Sequence, residues 1–181
     1  VIGAVIITGV WGAAKVVSAV FFKGNFGELQ YIDFGPDVIH TNDWQTALVN
    51  LYINSYYRHL DKFYGIKTVF TIHNIQYQGQ YGLNVIDEVV GVPDAWKHLL
   101  EYNGDANYMK AAIEAADKVT TVSPTYAGQI LDPWYACGLD GRAVLAGGQR
   151  DEAVLRQAEL FDDLVENRIA EYQVFVILGK G

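Results

Sequence analysis

Short apolar runs alternate with amphipathic stretches along this chain, and the alternation predicts the order of its secondary structure. The apolar runs that predict buried strands occupy residues 1–8, 37–40, 67–72, 118–122 and 173–178. Apolar residues at helical spacing predict helices at residues 13–22, 43–62, 107–116, from 124 onward, and 151–168. Strands that alternate with helices in this way form parallel sheets. The pattern therefore predicts an α/β fold with a doubly wound parallel sheet.

Residues 74–104 follow the strand at 67–72 without a sustained period of either kind. The sequence predicts a long irregular connection with short helices there. A connection of that length within a compact domain is usually functional. We therefore expect this segment to lie near a binding or catalytic site.

Polar or glycine residues stand where the predicted strands end. They are Thr8-Gly9, the segment from His40 to Asp43, His73-Asn74 and Ser123. In an open parallel sheet, ligands bind in the crevice outside the carboxyl ends of the strands. Two histidines and an aspartate at neighbouring strand ends, His40, His73 and Asp43, therefore predict a site.

Simpler explanations compete with a catalytic role for these residues. Asp43 lies where a helix is predicted to begin, and an ordinary N-cap that accepts backbone N–H groups would also explain it. His73 has no polar partner nearby in the sequence, and a strand-end histidine is often a hydrogen-bonded structural residue. The pattern alone does not separate these interpretations.

Gly9 and Gly12 lie between the first strand and the first helix, and such a turn can cradle a phosphate. The full glycine fingerprint of dinucleotide-binding proteins is missing, however. A nucleotide-dependent oxidoreductase is a third interpretation of residues 5–12, but no Tyr stands four residues before a Lys, as a short-chain dehydrogenase requires. The tyrosines between Tyr52 and Tyr81 form either a sugar-stacking surface or ordinary packing.

Composition and charge narrow the class of protein. The 181 residues, about half of them apolar, suffice for one domain with a hydrophobic core. A net charge of −8 argues against nucleic acid as a partner. Cys137 is the single cysteine, which fits a reducing cytoplasm and excludes a disulfide framework. The apolar run at 1–10 is well short of the ~20 residues of a transmembrane helix, so no membrane partner is expected.

Five segments, in order, resemble the bacterial glycogen synthases and plant starch synthases. They are Pro36 to Gln45 (PDVIHTNDWQ), Lys67 to Gly79 (KTVFTIHNIQYQG), Leu100 to Gly104 followed by Asn107 to Ala112 (LEYNG and NYMKAA), Ala116 to Ala127 (ADKVTTVSPTYA) and Cys137 to Gly141 (CGLDG). Their order across more than half of the chain is far more specific than any single motif.

The resemblance implies the N-terminal, Rossmann-like half of a GT-B glycosyltransferase. Members of that family transfer glucose from ADP-glucose to the non-reducing end of an α-1,4-glucan with retention, and no cofactor or metal is expected. The resemblance places Asp43 and His73 in the active site as catalytic residues. Asn74, Tyr77 and Gln78 are implied to bind substrate on the acceptor side, and Gly9 and Gly12 to bind the donor. His40, Trp44 and Tyr126 are expected to support the loops.

The two ends of the chain depart from the family pattern. Thr8 to Gly12 is a reduced form of the family's Lys-Thr-Gly-Gly-Leu loop, and residues 173–181 resemble a strand from its second domain. We therefore expect a single Rossmann-like domain over 1–181, with a synthase-like core at 36–141 and an atypical helix-strand end at 142–181. The nucleotide-clamping residues of a C-terminal domain have no counterpart, and losing half of a cleft removes most of the positioning that catalysis needs.

The expectation for the chain alone is therefore weak glucosyl transfer or none. A non-catalytic Rossmann-like scaffold, truncated or engineered, is the alternative. The expected compartment is the cytoplasm, or the plastid for a plant protein.

Overall fold

The structure is a computed structural model that describes residues 4–7 and 38–139. The helices predicted at 13–22 and 151–168, the strand predicted at 173–178, and Gly9 and Gly12 lie outside the described residues. In the described part of the chain, no helix is both long enough and apolar enough to cross a membrane.

A parallel sheet forms the centre of the fold. Its strands, in spatial order, are β1 (Ala4–Ile7), β2 (Val38–Asn42), β3 (Lys67–Ile72) and β7 (Lys118–Thr121). The register pairs Val38 with Ala4 on one side and with Lys67 on the other, and Val69 with Lys118. The predicted α/β fold with a parallel sheet is confirmed. β2 extends two residues beyond the predicted end at His40 and reaches Asn42, which pairs with Thr71.

The helical stretch predicted at 43–62 is broken into shorter pieces. They are α1 (Asp43–Thr46), α2 (Leu48–Tyr52) and a π-helical turn at Ile53–Tyr57. The wider turn closes through the bond from the Arg58 N–H to the Ile53 carbonyl, at 2.7 Å. The Asn54 side chain also donates to the Ala115 carbonyl at 2.6 Å, which ties this turn to a neighbouring helix. Tertiary contacts therefore override the simple helical period.

The predicted helix at 107–116 forms as α4 (Tyr108–Ala115), with Asn107 as its N-cap. The Asn107 side chain accepts from the Lys110 N–H at 2.9 Å. α4 packs against α2, and both helices contribute fully buried side chains to the core. The buried apolar residues from these two helices are Leu48, Val49, Leu51, Tyr52, Tyr108, Met109, Ala111, Ala112 and Ile113.

The segment at 74–104, expected to be irregular with short helices, contains part of a second sheet. The antiparallel order is β4 (Gln80–Gly82), β6 (Asp105–Asn107) and β5 (Glu101–Tyr102). Short helical turns at Ile86–Val90 and α3 (Asp94–Lys97) precede β5. Asn103 and Gly104, with φ of 52° and 87°, form the two-residue turn between β5 and β6. Asn-Gly is the strongest short hairpin signal in a sequence, so this strand pair was predictable.

Asp117 connects the start of β7 to the start of β3 through hydrogen bonds. It lies at the end of the sheet opposite the crevice at the carboxyl ends of the strands. One oxygen of Asp117 accepts from the Thr68 N–H at 2.8 Å, from the Thr68 hydroxyl at 3.0 Å and from Arg58 at 2.8 Å. The Asp117 N–H in turn donates to the Thr68 hydroxyl at 3.0 Å. Lys67 lies 3.8 Å from the other oxygen. This cluster joins two neighbouring strands and Arg58, the residue that follows the helical turn Ile53–Tyr57.

The helix predicted to follow Ser123 is present as α5 (Pro124–Ile130). The Ser123 hydroxyl accepts from the Tyr126 N–H at 3.1 Å, and Pro124 occupies the first turn, where its missing N–H costs nothing. Both sequence signals for this helix start are therefore confirmed.

Replacing Ser123 with alanine is expected to lower the free energy of unfolding by about 1 kcal/mol, because an N–H of the first turn loses its acceptor. Urea denaturation followed by far-UV circular dichroism measures the change. Thr125→Ala, at an exposed position of the same turn, is the control and is expected to have little effect. Equal losses for the two variants would show that the Ser123 hydroxyl does not act as a cap.

A candidate active site at the carboxyl ends of the central strands

Asp43 connects the ends of β2 and β3. Its Oδ1 accepts from the His73 N–H at 2.8 Å and lies 3.4 Å from the Asn74 N–H. The N-cap alternative for Asp43 is wrong, since the N-cap of α1 is Asn42 and the Asp43 carboxylate faces the neighbouring strand end. Asp43 also has a φ of 54°, a left-handed conformation that costs a non-glycine residue about 1–2 kcal/mol. Such strain is characteristic of functional sites.

The side chain of His73 is exposed at the same strand end. Its Nε2 lies 3.1 Å from Oδ1 of Asn42, while its backbone N–H is bound by Asp43. Sequence reasoning did not single out Asn42 because it ended β2 at His40. The pairing of Asn42 with Thr71 places Asn42 across from the end of β3, and therefore within reach of His73.

His40 lies beneath the site and belongs to the scaffold, as the resemblance implied. It is buried, and its Nε2 lies 2.7 Å from the Thr71 hydroxyl, which lies 2.7 Å from the Thr120 hydroxyl. Burial, with a smaller contribution from His73, lowers the pKa of His40 to about 4. His40 is therefore neutral at pH 7 and serves as one end of a row of hydrogen bonds across β2, β3 and β7.

The loop after His73 is held from both sides by residues expected to support it. The Ile75 N–H donates to the Tyr126 hydroxyl at 2.9 Å. The ring of Trp44 covers Gly79, which has a φ of 67°. Asn74 is exposed, and its Oδ1 accepts from the Gln76 N–H at 3.0 Å. The loop therefore presents Asn74 at a fixed position beside His73.

The two other predicted substrate-binding residues of this loop have different surroundings. Tyr77 is about half exposed, at 52%, and its ring is accessible to a ligand. Gln78 is buried. Its amide donates to the Ile75 carbonyl at 3.2 Å and the Cys137 carbonyl at 3.0 Å, and its carbonyl accepts from Asn107 at 2.6 Å. These contacts give Gln78 a structural task within the loop, and its role toward substrate stays a prediction.

The tyrosines between Tyr52 and Tyr81 divide between packing and exposure. Tyr52 is fully buried and donates to the Val90 carbonyl at 3.1 Å, and Tyr81 packs against Tyr108 with ring centroids 5.1 Å apart. Tyr64 and Tyr77 are exposed. These tyrosines therefore do not form a continuous sugar-stacking surface. Tyr77 is the tyrosine that lies beside the candidate site.

The described residues give the site hydrogen-bond acceptors and the exposed aromatic ring of Tyr77. Within residues 4–7 and 38–139, no three His, Cys, Asp or Glu side chains are placed to hold a metal ion. The predicted donor-binding glycines, Gly9 and Gly12, follow β1, whose neighbour in the sheet is β2. Chemically, the described part of the site can accept hydrogen bonds from hydroxyl groups and can stack against a sugar ring.

Comparisons with known proteins agree with this architecture. The sequence profile of the family described as "Starch synthase catalytic domain" matches residues 13–143. The chain is 42% identical over 125 residues to a glycogen synthase of Lachnospira eligens, covering 68% of this chain and 26% of that protein. It is 38% identical over 145 residues to a glycogen synthase of Streptococcus mutans, covering 78% and 30%.

Comparison with solved structures also finds similarity to a starch synthase. The fold is similar to the catalytic domain of starch synthase IV from Arabidopsis thaliana, solved bound to ADP and acarbose, with a TM-score of 0.64 and 27% identity over 72% of this chain and 27% of that one. The chain thus spans about a quarter of the length of these relatives. With the profile matching well over half of its residues, this chain belongs to the starch synthase catalytic-domain family.

Proposed function

We propose that this chain forms one side of the active site of a glucan synthase, which transfers glucose from ADP-glucose to the non-reducing end of an α-1,4-glucan with retention. The matched region is about a quarter of the relatives' length, and the proposal gives the other side of the cleft to the C-terminal domain that the family resemblance implies. The lone Cys137 is compatible with action in the cytoplasm.

One observation carries the proposal. The Asp43 carboxylate fixes the backbone of His73 at the end of β3 and, in doing so, accepts a strained conformation of its own. A strand end with only a structural role does not require an aspartate with a left-handed backbone conformation. Such backbone strain persists where function retains it. The carboxyl end of a parallel sheet is also where ligands of this fold class bind.

The geometry suggests a role for each residue. His73 would lie against the transferred glucose, where its imidazole nitrogen or carbonyl oxygen stabilises positive charge that develops at the anomeric carbon. Asp43 would hold His73 and Asn74 in place. Asn74 and the exposed ring of Tyr77 would contact the acceptor glucan, with Gln78 fixing the loop from below. Gly9 and Gly12 would approach the donor nucleotide.

Replacing His73 with alanine is expected to reduce glucose incorporation from ADP-glucose into maltooligosaccharide on the order of 100-fold, the usual cost of removing one group that stabilises transition-state charge. Incorporation of radiolabelled glucose by the purified chain measures the effect. Calorimetric titration with maltooligosaccharide and with ADP-glucose measures binding in parallel. His59→Ala, at an exposed position away from the strand ends, is the control and should retain wild-type values.

Two results would contradict the proposal. One is transfer or sugar binding that is unchanged in His73→Ala. The other is a chain that unfolds cooperatively but binds neither ligand, which is the behaviour of the non-catalytic scaffold.

A further inference from the structure

We propose that Asn42 is a positioning residue that holds the imidazole of His73 with its proton on Nε2, so that His73 presents only hydrogen-bond acceptors to the ligand. The inference rests on the proposed function, which puts the transferred glucose against His73, and adds the residue that orients the His73 ring. Three features of the strand end support it.

The first feature is that the Asn42 side chain is not used for its common local task. Asn42 is the N-cap of α1, where an asparagine side chain ordinarily accepts an N–H of the first turn. Here its side chain makes no such bond. The Thr46 hydroxyl instead serves both main-chain groups of Asn42, accepting from its N–H and donating to its carbonyl, each at 2.7 Å. The Asn42 amide is therefore available to a different partner.

The second feature is the identity of the atoms that meet. Oδ1 of Asn42, 3.1 Å from Nε2 of His73, is a carbonyl oxygen and can only accept a hydrogen bond. The proposal therefore puts the proton on Nε2. In a neutral imidazole the other nitrogen, Nδ1, then has a lone pair and acts as an acceptor.

The third feature is that the backbone donor of His73 is also engaged. Asp43 binds the His73 N–H at 2.8 Å. A neutral His73 thus directs both of its N–H groups into the protein, the backbone N–H to Asp43 and the ring N–H to Asn42. What remains for a ligand is Nδ1 and the carbonyl oxygen.

A surface of acceptors selects its ligand by chemistry. Sugar hydroxyls donate hydrogen bonds, and an anomeric carbon that is losing its leaving group gains positive charge, so both are complementary to Nδ1 and to a carbonyl oxygen. A phosphate offers only acceptors and negative charge and would be repelled. These acceptors are complementary to the glucosyl group that the proposed function puts against His73, and Asn42 is the residue that keeps them directed at it.

Nitrogen NMR of the histidine rings tests this inference without requiring turnover. At a pH where imidazoles are neutral, the ring ¹⁵N shifts of His73 should report the Nε2–H tautomer alone, whereas the exposed His59 should show the same tautomer in exchange with a minor Nδ1–H form. Asn42→Leu, which keeps the side-chain shape but removes the acceptor, should move the His73 shifts to the pattern of His59. Asn42→Asp keeps an acceptor oxygen and should restore the wild-type pattern.

The same variants test the consequence for the ligand. ADP-glucose binding or glucose incorporation should fall about tenfold in Asn42→Leu, as expected when a hydrogen bond to the ligand is weakened, and be largely retained in Asn42→Asp. His73 shifts that are unchanged in Asn42→Leu, or that match His59 in the wild type, would overturn the inference. Should Asn42→Leu fail to fold, Asn42→Ala provides the same comparison. If the tautomer behaves as expected while the wild type binds no sugar, the proposed function fails and the role of Asn42 toward His73 stands.

Discussion

Replacing Gly79 with alanine is expected to lower the free energy of unfolding by about 4 kcal/mol. The φ of 67° at this position is left-handed, which costs an alanine about 1–2 kcal/mol. An added Cβ would also lie 2.7 Å from Cε3 and 3.1 Å from Cδ2 of Trp44. These atoms belong to a rigid indole that packs edge-on against Tyr81, and forcing extra volume into such a contact typically costs about 1–3 kcal/mol more.

Gly65 provides a matched control for this prediction. Its φ of 87° is also left-handed, but no atom lies within 4 Å of the point that an added Cβ would occupy. Gly65→Ala should therefore lower the free energy of unfolding only by the backbone contribution, about 1–2 kcal/mol. Urea denaturation followed by tryptophan fluorescence compares the two. Similar losses would mean that the Trp44 ring moves aside and that the loop after His73 is not tightly held.

Replacing Asp117 with alanine is expected to lower the free energy of unfolding by about 3 kcal/mol at pH 7. The change leaves the Thr68 N–H without its acceptor and removes the anion that Arg58 faces, and hydrogen bonds to charged groups contribute about 1.5–3 kcal/mol each. Asp61→Ala, which removes an exposed carboxylate, is the control and should be nearly neutral. A loss for Asp117→Ala no greater than for Asp61→Ala would contradict a role for this cluster in joining β3 to β7.

The pH dependence gives a second measure of the Asp117 cluster. Burial acts to raise the pKa of Asp117, but hydrogen bonds from Arg58 and Thr68 outweigh it, so the folded-state pKa lies below the ordinary 3.8. The stabilisation is therefore fully present above pH 3.8 and is lost as the pH falls through the lower folded-state value. The difference in unfolding free energy between wild type and Asp117→Asn should shrink over that acidic range. A difference that stayed constant from pH 7 down to the acid transition would exclude this linkage.

The sequence predicted the parts of the fold that follow from local periodicity and caps. The β-branched run at Lys67–Ile72 and the Ser123-Pro124 helix start have the predicted positions because their signals lie within a few residues. The π-helical turn at Ile53–Tyr57 was not predictable in this way. Its geometry depends on contacts between Asn54 and Ala115, which are 61 positions apart.

The residues proposed for the candidate site come from the sequence, but their arrangement in space does not. His73 and Asp43 follow from strand ends and from the family resemblance. That the Asp43 carboxylate binds the His73 backbone, and that Asn42 faces the His73 ring, depends on the register between β2 and β3. Register is set by the pairing of whole strands, and a shift of one residue would turn these side chains to the opposite face. A single sequence contains no local signal for it.

The order of the strands has a consequence for synthesis of the protein on the ribosome. β3 takes β2 as one neighbour and β7 as the other, and Ile72 is paired with Thr121. The ribosome adds roughly 5–20 residues per second, so it needs roughly 2–10 s to extend the chain from Ile72 to Thr121. During that interval the apolar strand Lys67–Ile72 has an open edge of unpaired backbone groups, the feature that promotes pairing between nascent chains. We therefore expect the yield of native protein to be most sensitive to chaperones, or to slowed translation, while residues 73–121 are being made.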